Sequence, residues 1–136
     1  MNREQNKIVG SGSASQVGPT RGEQDRSVTM SPATANDAII HEVSSWEGVS
    51  VREHRMGGVE FRLGLRELGH LHGTIADLPF PRRVRDELVA AGRARPHHVL
   101  PRSGWWVTVP MRTASEVASV IELFRQNYER SARARR

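Results

Sequence analysis

The most regular hydrophobic pattern in the chain lies near its C-terminal end. Apolar residues recur at positions 117, 120, 121, 124 and 128, which is the spacing of one face of an α-helix. Thr113 precedes this stripe with Glu116 three residues later, a pairing typical of a helix start. A second stripe at positions 39, 40, 43 and 46 predicts a helix that is capped by Asn36 and stopped by Gly48.

The middle of the chain shows the alternation of apolar and polar residues that is typical of β-strands. Residues 49–53 and 59–63 alternate on either side of Gly57 and Gly58, which suit a tight hairpin turn because glycine adopts positive φ readily. Residues 66–72 predict a third strand. Together these segments predict an antiparallel meander.

Prolines shape the next part of the chain. Pro79 and Pro81 argue against a central strand around Phe80, and Pro81 favours a helix over residues 81–91. Residues 97–100 and 105–109 then predict a short extended piece and a clearer strand. The order α-β-β-β-α-β-β-α predicts the α+β class, as one domain in which an antiparallel sheet of about five strands packs against helices.

The two ends of the chain differ in composition from its centre. Residues 1–33 have no hydrophobic period and predict a disordered extension, with translation starting at either Met1 or Met30. The predicted domain spans residues 34–129, and residues 130–136 form a basic tail. Residues 125–136 hold five arginines and one glutamate, whereas residues 37–124 hold eleven charges of each sign. Because the positive charge is confined to one end, we do not expect nucleic acid as a partner.

Several classes of protein are excluded by what the sequence lacks. The chain has no cysteine, so thiolate metal sites, cysteine nucleophiles and disulfides are excluded. No apolar run is long enough to cross a bilayer, and no secretory signal is present, so we expect a cytoplasmic protein that does not contact membranes. There is no glycine-rich phosphate loop, serine nucleophile elbow or pair of catalytic carboxylates.

Histidines provide the candidate chemistry. His70 and His72 lie two apart on a predicted strand, so both side chains emerge on one face. Asp77, in the predicted loop that follows, and His97 and His98 could approach them. The set could transfer protons near neutral pH, or it could hold iron, copper, zinc or manganese through His70, His72 and His98. A structural role for these histidines, as packed or solvated side chains, also stays open.

Two further features suggest a binding surface. Arginines at 82, 83 and 85 crowd the predicted start of the second helix, where Arg82 and Arg85 could accept an anion together with free backbone N–H groups. Acidic residues one turn later could instead neutralise them as ordinary helix pairs. Trp105 and Trp106 must point to opposite faces of their strand, and we predict that Trp105 forms a flat wall for a planar ligand.

The chain resembles a small bacterial family that carries the label luciferase domain, over residues 37–129. The resemblance rests on residues 57–73, with their Gly-His-Leu-His-Gly ending, and on residues 80–88 and 97–105. The positions that match the family pattern are His70, His72, Asp77, His97, His98, Gly104 and Trp105. The family is similar to the luciferase of luminous fungi, which oxidises a hydroxylated styryl-pyrone with molecular oxygen and without a conventional organic cofactor. The label does not imply light emission.

These observations predict a domain that binds a small molecule and carries out oxygenase-type chemistry without a cofactor or metal. In this hypothesis His70, His72, His98 and Asp77 are catalytic, and Arg82, Arg85, His97 and Trp105 bind the substrate. Two alternatives stay open. One is a non-enzymatic interaction module with a basic tail, and the other is an enzyme that depends on a histidine-bound metal.

Overall fold

The computed structural model describes residues 28–54 and 57–134. Within them, three helices and one antiparallel sheet make up an α+β fold, which confirms the predicted class. The helices are α1 (Pro32–Ser44), α2 (Arg82–Ala90) and α3 (Ala114–Ala134). The strands are β1 (Val49–Glu53), β2 (Val59–Leu63), β3 (Arg66–His72), β4 (Ile75–Pro79), β5 (Arg95–Pro96) and β6 (Trp106–Pro110). Their order across the sheet is β1-β2-β3-β4-β6-β5.

The predicted hairpin joins β1 to β2. Val51 lies opposite Phe61, so the pairing follows the alternation read from the sequence. A glycine is needed at position 58 because a Cβ on Gly58 would lie 2.0 Å from the carbonyl oxygen of Leu71. The next strand, β3, pairs antiparallel with β2 as the meander predicts.

Strand β4 was not predicted, although Phe80 lies outside any strand as its flanking prolines indicate. The strand lies between β3 and β6. Pro79 is its last residue, where proline costs a single N–H, and the N–H of Phe80 donates to the carbonyl of Trp105 at 2.8 Å. The sheet therefore has six strands rather than about five. Asp77 lies on a strand and not in the predicted loop.

The described chain is already packed before the predicted start of the domain. The N–H of Met30 donates to the carbonyl of Arg112 at 2.7 Å. Ser31 caps α1, since its hydroxyl accepts a hydrogen bond from a backbone N–H of the first turn, so the cap is not Asn36 as predicted. Residues 1–27 of the predicted disordered extension lie outside the described residues.

Helix α3 has the predicted start and a later end. The hydroxyl of Thr113 accepts a hydrogen bond from the N–H of Glu116 at 3.1 Å, which confirms the cap. The helix continues to Ala134, so residues 130–134 of the predicted tail are helical, and residues 135–136 lie outside the described chain. The extended piece predicted at 97–100 is wrong, because the short strand there is β5 at Arg95–Pro96.

The hydrophobic core lies between the sheet and helices α1 and α3. The ring of Phe124 on α3 contacts that of Phe61 edge to face, with centroids 5.1 Å apart, and a Cβ on Gly69 would lie 2.7 Å from Phe124. Gly69 therefore faces α3, and the alternation along β3 turns His70 and His72 to the opposite face of the sheet. Among the described residues, no helix has the length and apolar character that spanning a membrane requires.

Candidate active site

Five of the six histidines of the chain line one pocket of about 660 Å³ on the sheet face that turns away from α3. We call it the histidine pocket. Its lining residues are His54, Glu67, His70, His72, Asp77, His97, His98, Val99, Leu100 and Trp106. The structure thus brings together all four residues predicted to be catalytic and one of the four predicted to bind substrate.

Strand pairing explains how distant parts of the sequence meet in this pocket. His70 on β3 lies opposite Asp77 on β4, and Asp77 in turn lies opposite Thr108 on β6. Residues 97–100 follow the short edge strand β5 and carry His97 and His98 back to the same face. Three neighbouring strands and one loop therefore position these polar side chains, and His54 comes from the segment after β1.

Asp77 is the buried centre of the cluster, with 1% of its surface exposed. Its Oδ1 accepts a hydrogen bond from the hydroxyl of Thr108 at 2.6 Å. Its Oδ2 lies 3.1 Å from Nε2 of His98, 3.3 Å from Nε2 of His70 and 3.6 Å from Nε2 of His97. Burial alone would raise the pKa of Asp77, but hydrogen bonds from His70 and Thr108 and the nearby imidazoles outweigh it and lower the pKa to about 2. Asp77 is therefore an anion at neutral pH.

His70 is held between two carboxylates. Its Nδ1 lies 2.6 Å from Oε2 of Glu67, and its Nε2 faces Asp77. Burial of the ring lowers the pKa of His70, but hydrogen bonds and charge from Asp77 and Glu67 outweigh it and raise the pKa to about 9. Both ring nitrogens then carry protons at neutral pH. The ring of His54 stacks on this cation at a centroid distance of 4.2 Å.

His72 and His97 are shifted in the opposite direction. Burial and the neighbouring His70 and His54 lower the pKa of His72, and burial lowers the pKa of His97. Both rings are neutral at pH 7. The pocket therefore combines a cationic histidine and neutral histidines on one surface.

The hydrogen bonds of His97 also fix which of its nitrogens carries the proton. Its Nδ1 accepts hydrogen bonds from the backbone N–H groups of Val99 at 3.1 Å and Leu100 at 3.0 Å. Because Nδ1 is an acceptor, the proton of the neutral ring resides on Nε2. His97 therefore presents its Nε2–H towards Oδ2 of Asp77, 3.6 Å away.

Two triads have the spacing of a metal site. One ligand atom from each of His54, His70 and His72 lies within 4.8 Å of the others, and the same holds for Asp77, His97 and His98. A neutral histidine that binds a metal donates a hydrogen bond from its second nitrogen.

The ring hydrogen bonds do not match that requirement in either triad. His97 accepts at its second nitrogen, and both nitrogens of His70 face carboxylates. A metal bound by the predicted set of His70, His72 and His98 would have to replace the protons on Nε2 of His70 and His98, the atoms that face Asp77. The arrangement suits proton chemistry better than coordination.

The other three residues predicted to bind substrate lie outside the histidine pocket. Arg85 donates to Asp86 at 3.0 Å and approaches the carbonyl of Pro101, and the guanidinium of Arg82 packs against Gly104. Trp105 lines a separate groove with 56% of its surface exposed. The predicted roles of these three residues in substrate binding stay predictions, and none of the three lines the histidine pocket.

Trp106 takes the position in the histidine pocket that was predicted for its neighbour. Its ring lies 5.3 Å from that of His70 and 5.9 Å from that of His97. The alternation rule separates two adjacent tryptophans but does not say which one faces the histidines. The signal that could have selected Trp106 is its spacing of two from Thr108, the residue that pairs with Asp77.

Sequence reasoning also missed His54 and Glu67. His54 follows β1, and only the β1-β2-β3 pairing brings its ring over His70. Glu67 lies three residues before His70 on the same strand, and the irregular register of β2 against β3 accompanies their contact. A bulge of this kind has no clear signature in a single sequence.

The fold and the pocket together define an α+β domain with a histidine-lined pocket on the sheet face opposite its core helices. Residues 65–127 match the family model described as Luciferase domain, so the predicted resemblance to the luciferase-domain family is confirmed over this segment. The segment holds every polar residue of the histidine pocket except His54. No curated protein and no solved structure matches the chain.

Proposed function

We propose that the histidine pocket binds a small planar compound with an acidic hydroxyl, an enol or a phenol, and removes its proton at His72. One observation carries the proposal: His70 and His72 share a sheet face, with ring centroids 4.9 Å apart, yet their pKa values are displaced in opposite directions. Environments that separate the pKa values of two neighbouring groups are typical of acid-base sites.

His72 is the better proton acceptor of the pair. Its ring is neutral at pH 7, and within the described chain no hydrogen bond to protein occupies its nitrogens. Gly58 leaves space for it, because a Cβ at that position would lie 2.9 Å from Nδ1 of His72. His70, which already carries two protons, cannot accept another.

The rest of the pocket suits the anion that proton removal creates. The ring of His70 contributes positive charge although both of its N–H groups face carboxylates. Nε2–H of His97 lies 3.6 Å from Oδ2 of Asp77, beyond hydrogen-bond distance, and is a neutral donor for the anion. Trp106 offers a flat apolar surface beside both rings. Asp77 and Glu67 keep His70 protonated and oriented without needing to touch the ligand themselves.

The family resemblance extends this proposal to oxygenase-type chemistry. The enolate or phenolate is electron-rich, and molecular oxygen is the oxidant. An electron pair of the anion forms a bond from carbon to one oxygen atom and the O–O π bond breaks. The terminal oxygen takes up the proton that His72 removed, so the substrate and dioxygen give an organic hydroperoxide. In this reaction the protein supplies proton removal, electrostatic stabilisation and an apolar pocket wall formed by Trp106, Val99 and Leu100.

The test uses His72→Asn, with His41→Asn as a matched control on α1, outside the pocket. Oxygen consumption is measured with hydroxy-pyrone and polyphenol substrates. We expect His72→Asn to lose turnover roughly 100-fold or more, the usual contribution of a general base, while substrate affinity changes little. His41→Asn should behave as wild type. Unchanged turnover in His72→Asn would contradict the assignment of the base.

A second measurement separates proton removal from oxygen chemistry. A chromophoric phenol such as 4-nitrophenol absorbs differently as its anion. When the wild-type protein binds it below the pKa of the free phenol, we expect the absorption of the anion to appear, and His72→Asn should weaken this signal. A bound phenol that stays protonated would contradict the proposal whatever the oxygen measurements give.

A further inference from the structure

A second concavity, of about 320 Å³, lies where the last turns of α3 pass the ends of β3 and β4. We call it the arginine groove. Its lining residues are Arg66, Glu67, Pro79, Phe80, Pro81, Trp105, Asn127, Arg130 and Ser131. It contains Trp105 and part of the basic C-terminal region, two features that the histidine pocket does not use.

Two arginines and one carboxylate line this groove. Within the described residues, neither Arg66 nor Arg130 forms a salt bridge. The one carboxylate among the lining residues, Glu67, is engaged by Nδ1 of His70 at 2.6 Å. Partial burial and the nearby Arg133 lower the pKa of Arg130, as expected for a cation without a compensating anion.

Arg130 is held in place rather than free in solvent. Its guanidinium lies over the ring of Phe80, 5.6 Å from the centroid, and Nη1 donates to Oδ1 of Asn127. Asn127 is itself fixed, because its amide donates to the carbonyls of Leu68 at 3.1 Å and Pro79 at 2.7 Å. The groove therefore presents a preorganised guanidinium, the group that binds planar oxyanions in a fork geometry.

Trp105 adds an exposed aromatic surface to this cation. More than half of its surface is exposed, although its backbone is well held. Its N–H donates to the hydroxyl of Ser103 at 3.1 Å, and its carbonyl accepts from the N–H of Phe80 at 2.8 Å. An exposed indole on a well-held backbone, which lines the same groove as a cation, suits a flat ligand with a negative charge.

We propose that the arginine groove binds a planar aromatic carboxylate, with its carboxylate on Arg130 and its ring against Trp105. A planar carboxylate fits better than a phosphate, because the one guanidinium that is held in place, that of Arg130, offers a single planar fork. The proposal does not depend on the chemistry of the histidine pocket, which shares only Glu67 with the groove.

The test measures binding of 2-naphthoate to the full chain by isothermal titration calorimetry. We expect Arg130→Gln to weaken binding roughly tenfold or more, since it removes a charge-assisted hydrogen-bonding partner. Arg133→Gln is the matched control, because Arg133 lies on the same helix, is exposed and does not line the groove. The affinity of this variant for 2-naphthoate should stay within about twofold of wild type. Cyclohexanecarboxylate, which is not planar, should bind more weakly than 2-naphthoate.

A spectroscopic measurement locates the probe. On addition of 2-naphthoate, the NMR signal of the Trp105 indole N–H should shift and that of Trp106 should not. A shift of Trp106 alone would place the probe in the histidine pocket and overturn the proposal. Equal affinity for inorganic phosphate, or equal losses in Arg130→Gln and Arg133→Gln, would also overturn it, because either result indicates unspecific attraction. Arg130→Lys keeps the charge but not the fork, and it should bind with intermediate affinity. Such a graded loss distinguishes a weakened contact from a folding defect in Arg130→Gln.

Discussion

Nε2 of His70 lies 3.3 Å from Oδ2 of Asp77, across the pairing of β3 with β4. The contact joins a cation to an anion that is almost completely buried. It fixes the charge of His70 and so leaves His72, on the same face, as the neutral member of the pair. The proposed acid-base chemistry follows from this one relationship.

The stability of the fold should depend on the charge of His70. Folding raises the pKa of His70 from 6.5 to about 9, so its contribution is fully present below pH 6.5 and is lost as the pH rises through about 9. Glu67, Asp77, His54 and His72 are the titratable groups that surround it. Urea unfolding should therefore show lower stability at pH 9 than at pH 6.5.

A His70→Gln variant tests the origin of this pH dependence. It should be less stable than wild type at pH 6.5 and should lose most of the decline towards pH 9. His41→Gln, outside the pocket, should keep the wild-type slope. An unchanged slope in His70→Gln would show that another group causes the decline.

Much of the architecture follows from local patterns. The stripe that contains Phe124 predicts α3, and the glycine pair before β2 predicts the hairpin, because both signals lie within one element or one turn. Strand β4 was missed because the rule against proline in a central strand does not apply at its final residue, Pro79. The boundary of α1 was missed because Ser31 and Asn36 are equally good caps in sequence.

Part of the candidate site could likewise be predicted from local sequence patterns, and part could not. The spacing of His70 and His72 predicts a shared face, which is a local property of one strand. The contributions of His54, Glu67 and Trp106 depend on strand register and on a choice between two neighbouring tryptophans. These contributions are decided by the pairing of strands that are distant in sequence, and the periodicity of a single sequence carries no information about that pairing.

Phe124 is one of the largest fully buried side chains of the core. Phe124→Ala removes a fully buried ring that contacts Phe61 and Gly69, so we expect a loss of roughly 3 to 5 kcal/mol in the free energy of unfolding. Leu65→Ala is the control, because Leu65 is 95% exposed and should change stability by less than about 0.5 kcal/mol. Similar losses in both variants would contradict the described packing.

Two deletions test where the folded part begins. Removing residues 1–27, whose composition predicts disorder, should leave the melting temperature nearly unchanged. Removing residues 1–33 should lower it by several degrees, since the cap at Ser31 and the hydrogen bond between Met30 and Arg112 are lost. Equal melting temperatures for the two deletions would contradict a structural role for residues 28–33.

The most direct test is an NMR titration of the histidine rings in the full chain, with single histidine variants used for assignment. We expect His70 to titrate near pH 9 and His72 to titrate below 6.5, so the two rings carry different charges at neutral pH. We also expect Asp77→Asn to lower the pKa of His70, because one of the two carboxylates beside that ring is removed. Titration of His70 at or below pH 6.5, or of both rings together, would contradict the proposed division between a cation and a base.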